Sequence, residues 1–121
     1  MIGRLEKTVL DCPDARALAA FYAEVLGMRI NEDHRDGGWV VIGREPGMRE
    51  LAFQRAENYT PPRWPDPDHP QHEHLDIRVD DVDAAELAVL ALGATRLEAQ
   101  REEGFRVFAD PAGHPFCLVY G

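Results

Sequence analysis

The residues best equipped for chemistry lie on short segments that alternate polar and apolar types. In Glu73-His74-Leu75-Asp76-Ile77-Arg78-Val79, a β-strand would set His74, Asp76 and Arg78 on one face. Lys7, Val9 and Asp11 share a face of an earlier segment, with Thr8, Leu10 and Cys12 opposite. Cys117 and Val119 share a face near the end of the chain. Charges in a partly dry pocket pair or shift their pKa, so Lys7 and Arg78 are expected to pair with Asp11 and Asp76. A fixed ammonium at Lys7 suits a ligand carboxylate, phosphate or enolate oxygen. His74 beside Asp76 has the makings of a general base, although residues two apart on a strand are not in ideal contact. Gln54 adds a neutral polar group. Trp64 stands in a polar, proline-rich stretch, where a large aromatic has little structural reason and could cover a planar ligand.

Each of these residues also has a plainer reading. Lys7, Asp11, Asp76 and Arg78 would serve equally as a structural ion-pair network filling a collapsed cavity. His74 could be a hydrogen-bonded structural histidine, and Cys117 a small buried hydrophobe. His72 sits two residues before His74, but a two-histidine clip is a weak metal signal. Asp80, Asp81 and Asp83 read as helix caps and solvated charge.

The elements that must position these groups come in two copies. Glu6 to Asp14 leads into an alanine-rich helical stretch that stops at Gly27, and Glu73 to Asp81 leads into a second that stops at Gly93. Asp14 is placed to cap the first helix, with Leu18, Phe21, Tyr22, Val25 and Leu26 on its apolar stripe. Asp81 or Asp83 caps the second, whose stripe is Val82, Ala85, Val89 and Leu92. Strands are expected at Leu5 to Cys12, Met28 to Glu32, Trp39 to Gly43 and Arg49 to Arg55. In the second copy they fall at His74 to Val79, Thr95 to Leu97, Phe105 to Ala109 and Phe116 to Tyr120. Each copy thus reads strand, helix, strand, strand, strand, an α+β chain of two tandem βαβββ modules. Module one covers about 1–56, a linker 57–72, and module two about 73–121, together one domain over 1–121. Repeats of one supersecondary unit usually stack because neither buries its apolar face alone. The proline-rich linker reads either as a plain connector or as a lid or rim beside a site.

Composition narrows the partners. The 121 residues allow one domain with a real core. A formal net charge of −9 disfavours nucleic acid and anionic lipid. No apolar run approaches the ~20 residues of a membrane span. The amino-terminal residues show no signal-peptide pattern, and a cytoplasmic location is expected. The two cysteines, Cys12 and Cys117, point to opposite strand faces, which suits a reducing compartment better than a disulfide.

The chain resembles the vicinal oxygen chelate superfamily, the group of glyoxalase I, extradiol dioxygenases, fosfomycin-resistance enzymes and bleomycin-resistance proteins. The resemblance is carried by Asp14 to Tyr22 with Leu26-Gly27, by His74 to Asp81, and by Asp110-Pro-Ala-Gly-His-Pro-Phe-Cys117. It implies cupped mixed sheets enclosing a cavity, helices on the outside and a homodimer. It also implies a divalent metal held from strands one, four, five and eight. The family's ligand on the fifth strand falls on His74, seven residues before Asp81. The corresponding positions elsewhere hold Lys7, Ala52 (with Gln54 one strand repeat further on) and Cys117, where metal-binding members commonly carry glutamate. A protonated lysine offers no lone pair, and His74 with Cys117 falls short of the three ligands of catalytic zinc. The expectation is therefore no cofactor, with a divalent metal disfavoured, and a small organic ligand held by Lys7, Asp11, Gln54, Trp64, Asp76, Arg78 and Cys117. The alternatives are a lyase, isomerase or dioxygenase-type enzyme with His74 as base or in a degenerate metal site, and a non-catalytic structural or interaction module.

Overall fold

The computed structural model describes residues 1–97 and 104–121. It divides into two compact units, Met1–Tyr59 and Thr60–Gly121. The proline-rich segment expected to link two modules therefore goes mostly with the second. Each unit repeats one plan. In the first, β1 (Thr8–Cys12), α1 (Ala15–Leu26), β2 (Arg29–Asp33), β3 (Trp39–Gly43) and β4 (Leu51–Arg55) follow in order. In the second, β5 (Leu75–Arg78), α2 (Val82–Ala91), β6 (Thr95–Arg96), β7 (Phe105–Ala109) and β8 (Pro115–Val119) do the same. The sheets run β1-β4-β3-β2 and β5-β8-β7-β6. The first and last strands of each unit pair parallel and the other neighbours antiparallel. The fold is thus α+β, two βαβββ modules each built on a mixed four-stranded sheet. Among the described residues, no helix is long and apolar enough to cross a membrane.

Local chemistry explains the helices. The Asp14 carboxylate accepts from the Ala17 amide at 3.1 Å, and Asp81 accepts from Ala84 at 3.1 Å. Each satisfies one of the donors a helix leaves unpaired at its start. Gly27 ends α1 with φ of 64°, the left-handed conformation in which glycine carries no Cβ penalty.

The helices grip their sheets in different ways. α1 buries Ala15, Leu18, Ala19, Phe21 and Tyr22, and the Tyr22 ring stacks on Phe53 of β4 at 5.8 Å. On the expected stripe of α2 only Val89 is buried, while Val82 and Ala85 are half-buried and Leu92 is exposed. Surface ion pairs add to this contact. Arg106 of β7 reaches Asp83 at 2.9 Å and Glu86 at 3.1 Å, and Arg96 of β6 reaches Glu86 at 2.6 Å. Asp83 is solvated as expected, its side chain 84% exposed, and it pairs with Arg106 of the sheet as well. The apolar layer beneath α2 comes from the sheet itself, where Phe108 and Phe116 stack at 5.6 Å and Leu118 is wholly buried.

Two substitutions test this frame. A Cβ on Gly43 would collide with the Met48 carbonyl group, so Gly43→Ala is expected to cost about 1–3 kcal/mol through overpacking. Asp14→Ala should cost about 1 kcal/mol through the lost cap. Gly3→Ala, with open space around it, should leave the urea midpoint unchanged.

Candidate functional site

Strand alternation in the second unit sorts its residues into two walls. Ile77, Phe108, Phe116 and Leu118 are buried and take one face of the sheet. The residues between them take the other. Cα register aligns Asp76, Cys117 and Val107 in one row, and Arg78, Val119 and Phe105 in the next. This second face floors a cavity of about 400 Å³, a volume ordinary for small-molecule sites. Phe105, Val107, Pro115 and Val119 supply its apolar floor.

Its polar end is built where β5 begins. His74 precedes the strand, and its Nε2 lies 3.2 Å from Asp76 Oδ1. The irregular backbone before Leu75 lets the imidazole fold back on a residue two positions on, a contact that ideal strand geometry disfavours. Cys117, across the parallel pairing, completes a cluster in which the donor atoms of His74, Asp76 and Cys117 all lie within 4.8 Å of one another.

The turn between β7 and β8 holds Cys117 in register. Asp110 is 3% exposed, and its carboxylate accepts from the amides of Ala112 at 2.8 Å and His114 at 3.0 Å. Gly113 (φ 93°) packs so closely on the proline-rich loop that a Cβ there would meet Pro61 at 2.8 Å. That contact moors the loop to the sheet.

The loop supplies the rim. Trp64 and Gln71 line the cavity, and the loop between them is knotted by its own polar groups. Arg63 N–H donates to the His69 carbonyl at 2.8 Å, Asp68 N–H to Asp66 Oδ1 at 2.9 Å, and His69 Nδ1 lies 3.1 Å from Asp66 Oδ2. The Asp68 amide first, and the His69 ring after it, hold the Asp66 carboxyl below its usual value. A smaller hollow of about 180 Å³ opens within the loop beside Trp64, Asp66 and Gln71. Gln71 Oε1 is shielded from water and accepts no hydrogen bond.

Of the residues singled out in the sequence, Trp64, His74, Asp76 and Cys117 meet around this cavity. Arg78 does not line it; its guanidinium donates to the Gly121 carbonyl at 3.3 Å. Lys7, Asp11 and Gln54 belong to the first unit. There Asp11 and Gln54 are register partners, Gln54 is opposite Trp39 as well, and both Asp11 and Gln54 are exposed. The expected ion pairing does not form. Lys7 takes its neighbour Glu6 at 3.2 Å and lies 5.9 Å over the Trp39 ring, and Asp76 takes His74 instead of a cation. A flexible lysine next to a glutamate needs no strand-to-strand alignment to find its partner.

Two features escaped the sequence reading. Gln71 has no periodic signal, because only the path of the loop brings it to the rim. Pro115 and Val107 could have been found by extending the alternation of Cys117 and Phe105.

Residues 7–119 match the family described as a glyoxalase-like domain. The chain belongs to that family. It is thereby a member of the vicinal oxygen chelate superfamily, as its motifs imply. The glyoxalase-like fold is shared with a glyoxalase/bleomycin resistance protein/dioxygenase family enzyme from Burkholderia phytofirmans PsJN (20% identity, 98% of each chain, TM-score 0.71). It is shared too with the trypanothione-dependent glyoxalase I of Leishmania major (20% identity, 98% of this chain and 86% of that one, TM-score 0.68). A third is the fosfomycin resistance protein FosX of Mesorhizobium loti (18% identity, 100% and 93%, TM-score 0.64). At these identities the likeness speaks for the fold. No curated protein sequence matches the chain.

The donor set bears on the metal that such a domain implies. Asp76 brings to three the donors available to an ion, where the sequence count reached two. Imidazole, carboxylate and thiolate are a combination that zinc accepts, and three protein ligands suffice for a catalytic site. His74, Asp76 and Cys117 would hold such an ion, which when bound would polarise a ligand oxygen.

The loop that carries Trp64 should be acid-sensitive. The Asp66 carboxyl is held below its ordinary value of 3.8, so its contribution to loop order is complete above that pH and is lost as pH falls through the lower folded value. The protection factor of the Asp68 amide in hydrogen exchange is expected to hold at pH 6 and to collapse below pH 3.8.

Proposed function

We propose that this glyoxalase-like protein is a small-molecule-binding protein that holds a compact, largely flat organic ligand on the open face of its second sheet. The observation that carries this reading is the cavity of about 400 Å³, with an apolar floor and its polar groups gathered at one end. Such a division places a ligand by burial of its body and orients it through a few hydrogen bonds. Trp64 at the rim covers the ligand, and Phe105 offers it a second aromatic surface. The binding step needs no metal: His74, oriented by Asp76 at 3.2 Å, is already arranged to donate to or accept from the ligand.

The test uses 1-naphthalenemethanol as a probe of suitable size. Saturable shifts of the Val107 and Val119 methyl resonances are expected, together with quenching of Trp64 fluorescence in a Trp39→Phe background. Val107→Trp, which fills the floor, should weaken binding at least tenfold, roughly 1.4 kcal/mol. Absence of saturable change at both valines would dismiss the site.

A second reading rests on the three-donor cluster. Here the protein is a metal-dependent enzyme of the lyase, isomerase or dioxygenase kind, its ion held by His74, Asp76 and Cys117. Titration with Co²⁺ should then give a thiolate-to-cobalt charge-transfer band at one equivalent, lost in Cys117→Ser and in His74→Ala. A chain that shows no such band and carries no zinc after purification without chelator is not this enzyme.

A further inference from the structure

We infer that the ligand this site accepts is a hydrogen-bond donor that carries positive charge, an aromatic or heteroaromatic amine, and that Gln71 and Asp76 are the groups that select it. The inference rests on the binding function proposed above and adds the chemical class of the ligand.

The lining decides the sign. No lysine or arginine is among the described residues around the main cavity or the hollow inside the loop. Arg78, on the same sheet face, is turned to the Gly121 carbonyl. Among the described residues each space has instead one carboxylate, Asp76 in the first and Asp66 in the second. The two spaces share Trp64 and Gln71 in their walls, so a ligand over the floor lies against the same two side chains that border the loop hollow. Among the described lining residues of the main cavity, an anion would meet the Asp76 carboxylate and no lysine or arginine, while at the loop hollow Asp66 already has His69 and Arg63 nearby. An ammonium in the main cavity would meet the Asp76 carboxylate and the π-face of Trp64.

Gln71 supplies the independent sign of a missing donor. Its Oε1 is buried without a partner at the junction of the two spaces. A buried acceptor left unmade carries a desolvation cost that a ligand N–H would remove. Asp76 uses Oδ1 on His74, and its second oxygen is open to a further donor. The net charge of −9 raises the local concentration of cations over anions around the molecule as a whole.

A matched series separates charge from shape: 1-naphthylmethylamine, 1-naphthalenemethanol and 1-naphthoate, titrated at fixed ionic strength while the Val107 and Val119 methyls are followed by NMR. The amine is expected to bind about tenfold more tightly than the carboxylate, with the alcohol between them, since partly exposed charge pairs each contribute up to about fivefold. Asp76→Asn should shrink the spread between amine and carboxylate. Gln71→Leu should weaken the amine and the alcohol and leave the carboxylate unchanged. Equal affinities, or a preference for 1-naphthoate, would overturn the inference while leaving a binding site in place. No methyl shift with any of the three would remove the binding function and this inference with it.

Discussion

Everything at the site depends on which residues of the second sheet pack on its helix side. Ile77, Phe108, Phe116 and Leu118 must leave water, and the stacked pair Phe108–Phe116 locks β7 to β8 on the covered side. Because side chains alternate along a strand, this burial leaves no freedom for the residues between. A slip of one residue would bury Asp76 and Arg78 and expose Phe116 and Leu118. The hydrophobic effect acting on one wall thus sets the chemistry of the other, and Cys117, Asp76, Val107 and Phe105 line up as its consequence.

The second constraint is the mooring of the loop. A segment with prolines at 61, 62, 65, 67 and 70 cannot add a strand to the sheet, so its position comes from a few specific contacts. Pro61 against Gly113 and the bonds of Asp66 with Asp68 and His69 provide them. The Asp110 carboxylate, by closing the turn that contains Gly113, links loop and β8. Trp64 and Gln71 are held over the sheet by this arrangement, and the rim is as much a product of the β7–β8 turn as of the loop.

The fold was legible because burial and capping write themselves locally. Asp14 with Gly27 marks one helix and Asp81 with Gly93 the other, and Trp39–Gly43, a continuous apolar run between turns, and Phe105–Ala109 were readable to the residue. The site was legible only in part. Alternation placed Asp76 and Cys117 on faces, and the family's offsets singled out His74. The charge pairing was misread because it was assigned by counting cations against anions. Lys7 had a nearer partner in Glu6, and Arg78 a carbonyl at the end of its own unit. With Arg78 turned to that carbonyl, the described lining of the second unit's cavity carries the Asp76 carboxylate and no lysine or arginine.

By itself the sequence determined the two βαβββ modules, their caps, the shared face of Asp76 with Arg78 and of Cys117 with Val119, and the family. These follow from periodicity and from turn chemistry, which act over a few residues. Only the tertiary structure decided that His74 folds back on Asp76, that Asp76 thereby joins His74 and Cys117 as a third donor, and that Gln71 arrives at the cavity with an unused acceptor. Those facts depend on non-repeating backbone, at the start of β5 and along the proline-rich loop, where direction is set by distant contacts and no period carries it.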